Sequence, residues 1–572
     1  MRRFAYLVLI FSLVFALGIL GSCAQVVEPE EPDDPEEPDE IVEPPEPEEP
    51  RRVVIAQATD VRSWDPPQDW ISAAEWITQN AYDYLFIRSH DGAEWVPELA
   101  YDWDVIDELT FRFYLHEGVK FHDGTELTAH DVKHHYRRVI DAESREEYIV
   151  LDQYQWIDKF VIHDDYTFDV VSKEPDSLFL FKLSQKNTGM GIVSKAYFEE
   201  VGMDGVHHWP MGSGPWVLRE HVRDEHVLFD RNEDYWQTDK FPNFEEFEFR
   251  IVPEASTRVA ELLTGGVDLI YDIMPEDQAR VDADPNVRTQ WVATERGNLL
   301  AVRTGIRARD NYPEPDYPDD PTLNRSFTTE DPRVRKAIEL ALDKYALRDM
   351  FGGVGEAFRV RGPFEPLPEA APGMFGPEAC LYDPDRAKEI LEEAGYEFGE
   401  PYLHFIAVDT YPSGDMARVI GDMLETVGFD VELAILDSST WRTDYALPGK
   451  FQELNLQALG GQMNPYFATF ELHTRRIFPD RPITIGPDPA LDPEYEEQSK
   501  RINELLDVAW TEVVDEEARI NAYHEAVTLA GERNAPFIGI FQMSTLYGMS
   551  DRIEYQPRFD IDIWGYDFKV VK

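Results

Sequence analysis

Residues 114–133 read YLHEGVKFHDGTELTAHDVK, and no other stretch constrains the fold as strongly. The run Thr110–Leu115 alternates like a strand, and Asp123-Gly124 is a turn dipeptide in which glycine supplies the positive φ that other residues resist. Thr128 carries the small oxygen-bearing side chain of a helix N-cap. Asp131, three residues on, is placed to complete a capping box. Val132, Tyr136 and Val139 continue at helical spacing. The stretch is therefore a strand, a tight turn and a capped helix.

The same grammar recurs along the chain. Val53–Gln57 reads as a first strand, followed by a helix over Ala73–Leu85. Met416–Val427 is an amphipathic helix ended by Gly428, and Leu433–Leu436 is a short apolar strand. Strands alternating with helices argue α/β layers. No period of 20–50 residues recurs, so the chain is not a solenoid.

The wording of 114–133 resembles the signature of the family 5 extracellular solute-binding proteins, the peptide, nickel and oligosaccharide receptors of ABC importers. The chain departs from that signature mainly at His116, where arginine is usual. Further motifs follow in family order. They are Ser63–Pro66, Pro97–Trp103 with Thr110–Leu115, Gly212–Trp216, Arg231–Trp236, Ala260–Asp268, Asp331–Lys344 and Tyr382–Tyr396. The resemblance implies an α/β fold of the two-lobed periplasmic-binding-protein type (class II), with an extra subdomain on lobe one. It places the crossings between lobes near Asn298–Ala301 and Pro536–Gly539. Lobe one is then 52–298 with a return over 538–572, and lobe two is 299–537. Such a hinge suits closure around a ligand.

The N-terminus carries its own message. Met1-Arg2-Arg3 precedes an apolar run, Phe4–Leu20, and then Leu20-Gly21-Ser22-Cys23. This is the pattern of a signal peptide (1–22) with a lipobox, so Cys23 is the expected lipidation site and the mature chain is held at an extracytoplasmic membrane face. Residues 23–51 form an acidic, proline-rich tether. Eight prolines and thirteen acids between Val26 and Pro50 cannot bury enough apolar surface to fold.

Charge narrows the partners. The formal net charge is −59, from 112 acidic and 53 basic residues. Such a surface repels phosphate backbones, which excludes a nucleic-acid partner. Two cysteines, Cys23 and Cys380, exclude a disulfide framework. Cys380 is expected to be a half-buried structural thiol.

Catalytic patterns are missing: there is no nucleophile elbow, P-loop, dinucleotide fingerprint or zinc-protease motif. No catalytic residue, metal site or cofactor is assigned, and the chain is not read as an enzyme. Gly352–Gly355 is read as a turn, and His130, His134, His135 and His207-His208 are read as structural rather than as metal ligands.

The resemblance also points to a ligand site. Dipeptide-binding relatives clamp a zwitterion with an arginine and an aspartate of lobe two. Here Gly461 stands where the aspartate is expected, and Ala407–Pro412 offers Asp409 but no arginine. A free dipeptide would leave a charged end unpartnered, at a cost of several kcal/mol. The expected ligand-binding residues are Trp64, Trp70, Asp409, Tyr411, Trp441, Gly460, Gln462, Asn464 and Phe467. Two solutes fit them, an oligopeptide held through its backbone or an oligosaccharide stacked on the aromatic faces. The implied partners are that solute and the permease and ATPase subunits of an importer, with the receptor itself a monomer. A hydrolase and a peptide-holding sensor or chaperone are the readings of a different class.

Overall fold

The computed structural model describes residues 50–68, 72–142, 148, 154–184, 190–302, 328–355, 357–358, 373–374, 376–409, 412–437, 440–441, 453–459, 494–532 and 537–571. Pro50–Lys572 forms one compact unit. The signal peptide, the lipobox and all of the tether except Pro50 and Arg51 lie outside the described residues; Arg51 is already tied to the folded body through Glu245 at 2.9 Å.

The chain enters through β1 (Arg52–Gln57), buried at five of its six positions and paired in parallel on both sides, Val53 with Phe247 and Ile55 with Leu269. An uninterrupted apolar run is what a strand covered on both faces requires. The helix expected over 73–85 is shorter. α1 spans Ser72–Thr78 and gives way to a single 3-10 turn, Gln79–Ala81. The cause is Asn80, whose amide donates to the carbonyls of Trp76 at 2.8 Å and Ile563 at 3.0 Å and whose oxygen accepts from the Gly565 amide at 2.8 Å. The last two of these bonds, to a segment nearly 500 residues away, end the helix.

A four-stranded antiparallel sheet follows: β2 (Ala100–Asp107), β3 (Thr110–Leu115), β4 (Ile157–Asp164) and β5 (Thr167–Ser172), ordered β2-β3-β5-β4. Its core-facing side is covered by α2 (Ala129–Ile140), which buries Val132, Tyr136 and Val139. The capping box read from sequence is present: the Thr128 hydroxyl accepts from the His130 amide, and the Asp131 carboxylate accepts from the Thr128 amide at 3.0 Å.

The main sheet then resumes with β6 (Trp216–Val222), β7 (His226–Arg231), β8 (Glu246–Ile251) and β9 (Leu269–Ile270), the last two flanking α3 (Ala255–Leu263). Two long strands follow in space, β10 (Val287–Val302) and, at the far end of the chain, β14 (Phe537–Ser550). Between them in sequence lie α4 (Pro332–Ala341), α5 (Lys344–Met350), α6 (Pro384–Glu393), β11 (Tyr402–Val408), α7 (Ser413–Val427), β12 (Asp430–Leu436) and β13 (Leu454–Leu459). Gly428 ends α7 with φ 111°, as expected of a left-handed C-cap. The ten strands are ordered β12-β11-β13-β10-β14-β9-β1-β8-β7-β6.

Of the separate cores packed on this sheet, the two largest lie toward its opposite ends. One gathers Val53, Trp64, Phe111, Tyr136, Trp216, Phe247 and Trp564, while the other gathers Leu300, Ile338, Leu403, Phe405, Ile420, Leu424 and Ile538. Among the described residues, β10 and β14 are the strands that run through both halves of the sheet. A helical hairpin, α8 (Tyr495–Thr511) with α9 (Glu516–Glu532), packs Leu506, Trp510, Tyr523 and Val527 together and reaches across to Leu178. Cys380 is buried, not half-buried: 6% of it is exposed.

Candidate functional site

The site is made where β10 and β14 pass from one half of the sheet to the other. Their antiparallel pairing runs regularly from Val287–Ser550 to Ala293–Ser544, breaks, and resumes at Gly297–Gln542. Three residues, Thr294–Arg296, therefore stand opposite one, Met543. This is an enlarged bulge of the kind that bends a strand and re-aims its side chains. Buried Thr294 organises it. Its hydroxyl donates to the Met543 carbonyl at 3.1 Å and accepts from the Arg296 amide at 3.2 Å, while the Gln542 side-chain amide donates to the Thr294 carbonyl at 2.8 Å.

Beside the bulge lies a cavity of about 290 Å³, whose lining among the described residues includes Asp272, Trp291, Arg296, Asn298, Phe351 and Phe541, together with Pro412 and Ser544. Its wall thus draws on both halves of the fold and on the strands that join them. The Ser544 hydroxyl accepts from the amides of Val354 at 2.8 Å and Gly355 at 3.2 Å, tying the loop after α5 to β14. In that loop Gly352 has φ 78° and lies against the indole of Trp291; a Cβ there would come within 2.4 Å of the ring. The glycine run is a turn, and its closeness to Trp291 is what requires glycine.

Thr294 and Ser544 spend their hydroxyls on the backbone, but other polar groups of the cavity are not so engaged. Asn298 is fully buried, and among the described residues neither its Nδ2 nor its Oδ1 has a hydrogen-bond partner. Asp272 holds φ 56°, a left-handed conformation that costs free energy for a residue with a Cβ. Burial pushes its carboxyl above the usual carboxylate range, and the charges of Arg296 and Arg258 pull it part of the way back. Arg258 is occupied elsewhere, donating to the carbonyls of Val252 and Pro253.

Of the residues expected from sequence, Trp70, Tyr411, Gly460, Gln462, Asn464 and Phe467 lie outside the described residues, as does Cys23. Trp64 is 1% exposed and belongs to the first core. Its indole packs edge-on against Phe229 and donates to His221 Nδ1 at 3.1 Å. Asp409 is exposed just past the end of β11, its amide bonded to the Leu436 carbonyl, three residues before Pro412 of the cavity lining. Trp441 is half-buried and donates to Asn455 Oδ1 at 3.3 Å. None of these three is among the described lining residues. Nothing in the local sequence of Asp272, Trp291, Arg296, Asn298 and Phe541 sets them apart as ligand residues. Of the histidines, His130 lies 3.7 Å from Asp165, and His134 packs edge-on against Phe198.

A model of the bacterial extracellular solute-binding proteins, family 5, matches residues 94–472. The chain belongs to this family. Among curated relatives of this family-5 protein, the nickel-binding periplasmic protein of Escherichia coli is 27% identical over 57% of this chain and 60% of its own length. Di/tripeptide-binding protein 2 of Pseudomonas aeruginosa is 27% identical over 58% and 62%. The chain thus spans somewhat less than two thirds of each. Among solved structures, the periplasmic binding protein DppA of Helicobacter pylori, in complex with the peptide STSA, superposes with a TM-score of 0.66 at 21% identity, covering 91% of this chain and 98% of that one. These relatives are solute-binding proteins, not enzymes, and they establish the two-lobed α/β fold and an extracytoplasmic setting.

Proposed function

We propose that this family-5 protein is the solute-capturing receptor of an ABC importer and takes a peptide-type solute into the cavity beside Thr294–Arg296. The observation that carries this reading is Asn298, a fully buried carboxamide in the cavity wall with both polar atoms unmatched among the described residues. Leaving such a group dry and unpaired costs about 1–3 kcal/mol, and a peptide unit, with one donor beside one acceptor, is its complement. The P. aeruginosa relative, named for di- and tripeptides, and the peptide-bound H. pylori structure agree with it.

In this reading the lobes are 52–298 with 538–572, and 299–537, and they close about Thr294–Arg296 and Gln542–Ser544. The lipobox supports anchoring through Cys23, with residues 23–51 giving reach from the membrane. The permease and ATPase of the importer are the partners, the receptor works as a monomer, and the solute leaves unchanged. An oligosaccharide is the second reading, favoured by the aromatic rings of Trp291, Phe351 and Phe541 around the cavity. Asp409, Trp441 and the residues beyond Leu459 remain proposed contacts of the lobe-two side.

A thermal-shift comparison of tri- to pentapeptides with oligosaccharides of similar size tests the reading. Peptides are expected to raise the melting temperature in a concentration-dependent way. Stabilisation by sugars alone would replace the peptide reading with the second one.

A further inference from the structure

Acids outnumber bases about two to one in this chain, so a basic side chain rarely lacks a carboxylate. Arg250, on β8, pairs with both Glu248 and Glu261, and Arg138 is sealed against Asp65. Arg296 is different. It is half-buried in the cavity wall, its amide is fixed by Thr294, and its guanidinium makes no hydrogen bond or ion pair among the described residues. Asp272 feels its charge without pairing with it. A partly desolvated guanidinium has five donors in a planar fork suited to a carboxylate, and it is costly to keep unmatched. The bulge that aims Arg296 into the cavity is itself held by three hydrogen bonds.

Asn298 lies two positions further along the same strand and lines the same cavity. Alternate residues of a strand share a face and lie about 7 Å apart. The final peptide unit and the terminal carboxylate of a short peptide are consecutive groups, and the long arginine side chain covers the remaining distance. Resting on the solute-capture reading above, we propose that Arg296 binds the C-terminal carboxylate of a free-acid peptide while Asn298 pairs with its last peptide unit. The anionic end of the solute is then held by the strand joining the lobes, and no arginine is needed in lobe two.

The test uses the full-length protein and a defined pool of tri- to pentapeptides, prepared once as free acids and once as C-terminal amides, with binding read by native mass spectrometry and thermal shift. Free acids are expected to bind at least tenfold more tightly than the amides. Arg296→Gln should remove that preference by weakening the acids alone, and Arg296→Lys should restore part of it. The unliganded melting temperature of each variant reports folding, and the acid-to-amide ratio on the unaltered chain decides the matter if a variant fails to fold. Equal binding of acids and amides overturns this inference and leaves the peptide reading standing. Binding of neither, with sugars bound instead, overturns both.

Discussion

Arg138 grips Asp65 with two prongs, both N–O distances 2.7 Å, and the two side chains are 5% and 0% exposed. The contact joins the capped helix α2 to the Ser63–Pro66 loop, 73 residues earlier, and Tyr148 accepts a further bond from the same guanidinium at 3.0 Å. The neighbouring acid holds the Arg138 guanidinium above its ordinary range despite the opposing effect of burial.

Removing one partner of such a pair strands a buried charge, which costs about 3–5 kcal/mol. Asp65→Leu and Arg138→Met are each expected to lower stability on that scale, while the double variant loses much less than the sum. A chemical-denaturation double-mutant cycle measures the coupling; additive losses would show that the pair does not act as a unit.

Gly212 is glycine because of a neighbour, not because of its own dihedrals. A Cβ at this position would lie 2.0 Å from the carbonyl oxygen of Ala81, and at Gly214 it would lie 2.6 Å from the Tyr82 amide nitrogen. Backbone cannot give way as a flexible side chain can. Gly212→Ala is expected to cost about 3 kcal/mol, read as a lower midpoint in urea with an unchanged slope.

Asp83 is buried and accepts from the Tyr235 hydroxyl at 3.0 Å and the Trp236 indole at 2.9 Å. Burial, reinforced by the charge of nearby Glu98, raises its carboxyl from 3.8 to about 7. The folded state therefore holds this proton more tightly than the unfolded chain. The associated stability is fully present below pH 3.8 and is lost as the pH rises through about 7. Melting temperature should fall between pH 5 and pH 8, and Asp83→Asn should flatten that slope. An identical slope in the variant would place the titration elsewhere.

The net charge of −59 sets up a repulsive field for any anionic solute. Screening shortens its reach from about 30 Å at 0.01 M salt to about 8 Å at 0.15 M. The C-terminal amide of a peptide, carrying a net positive charge, is drawn in by this field, so its stopped-flow association should slow down over that range, whereas the zwitterionic free acid, with no net charge, should change little. The same salt response for both would mean the outer field does not reach the cleft.

Local elements were legible because their causes are local. Thr128 and Asp131 are three residues apart and make their capping box wherever α2 forms; Gly428 needs only its own φ; β1 is announced by its apolar run. The early stop of α1 was not legible, because Asn80 is held by Ile563 and Gly565. The cavity was hidden for the same reason. Arg296 is aimed by Thr294, which depends on Gln542 and Met543, nearly 250 residues away.

The amino-acid sequence by itself determined the α/β alternation, the helix caps, the acidic surface and the family motifs, since each rests on composition or on spacings within one element. Tertiary structure decided which polar groups are left unmatched. Whether an arginine or an asparagine has a partner depends on what the rest of the chain brings within about 3 Å of it, and in this fold the break between β10 and β14 leaves Arg296 and Asn298 facing an open cavity.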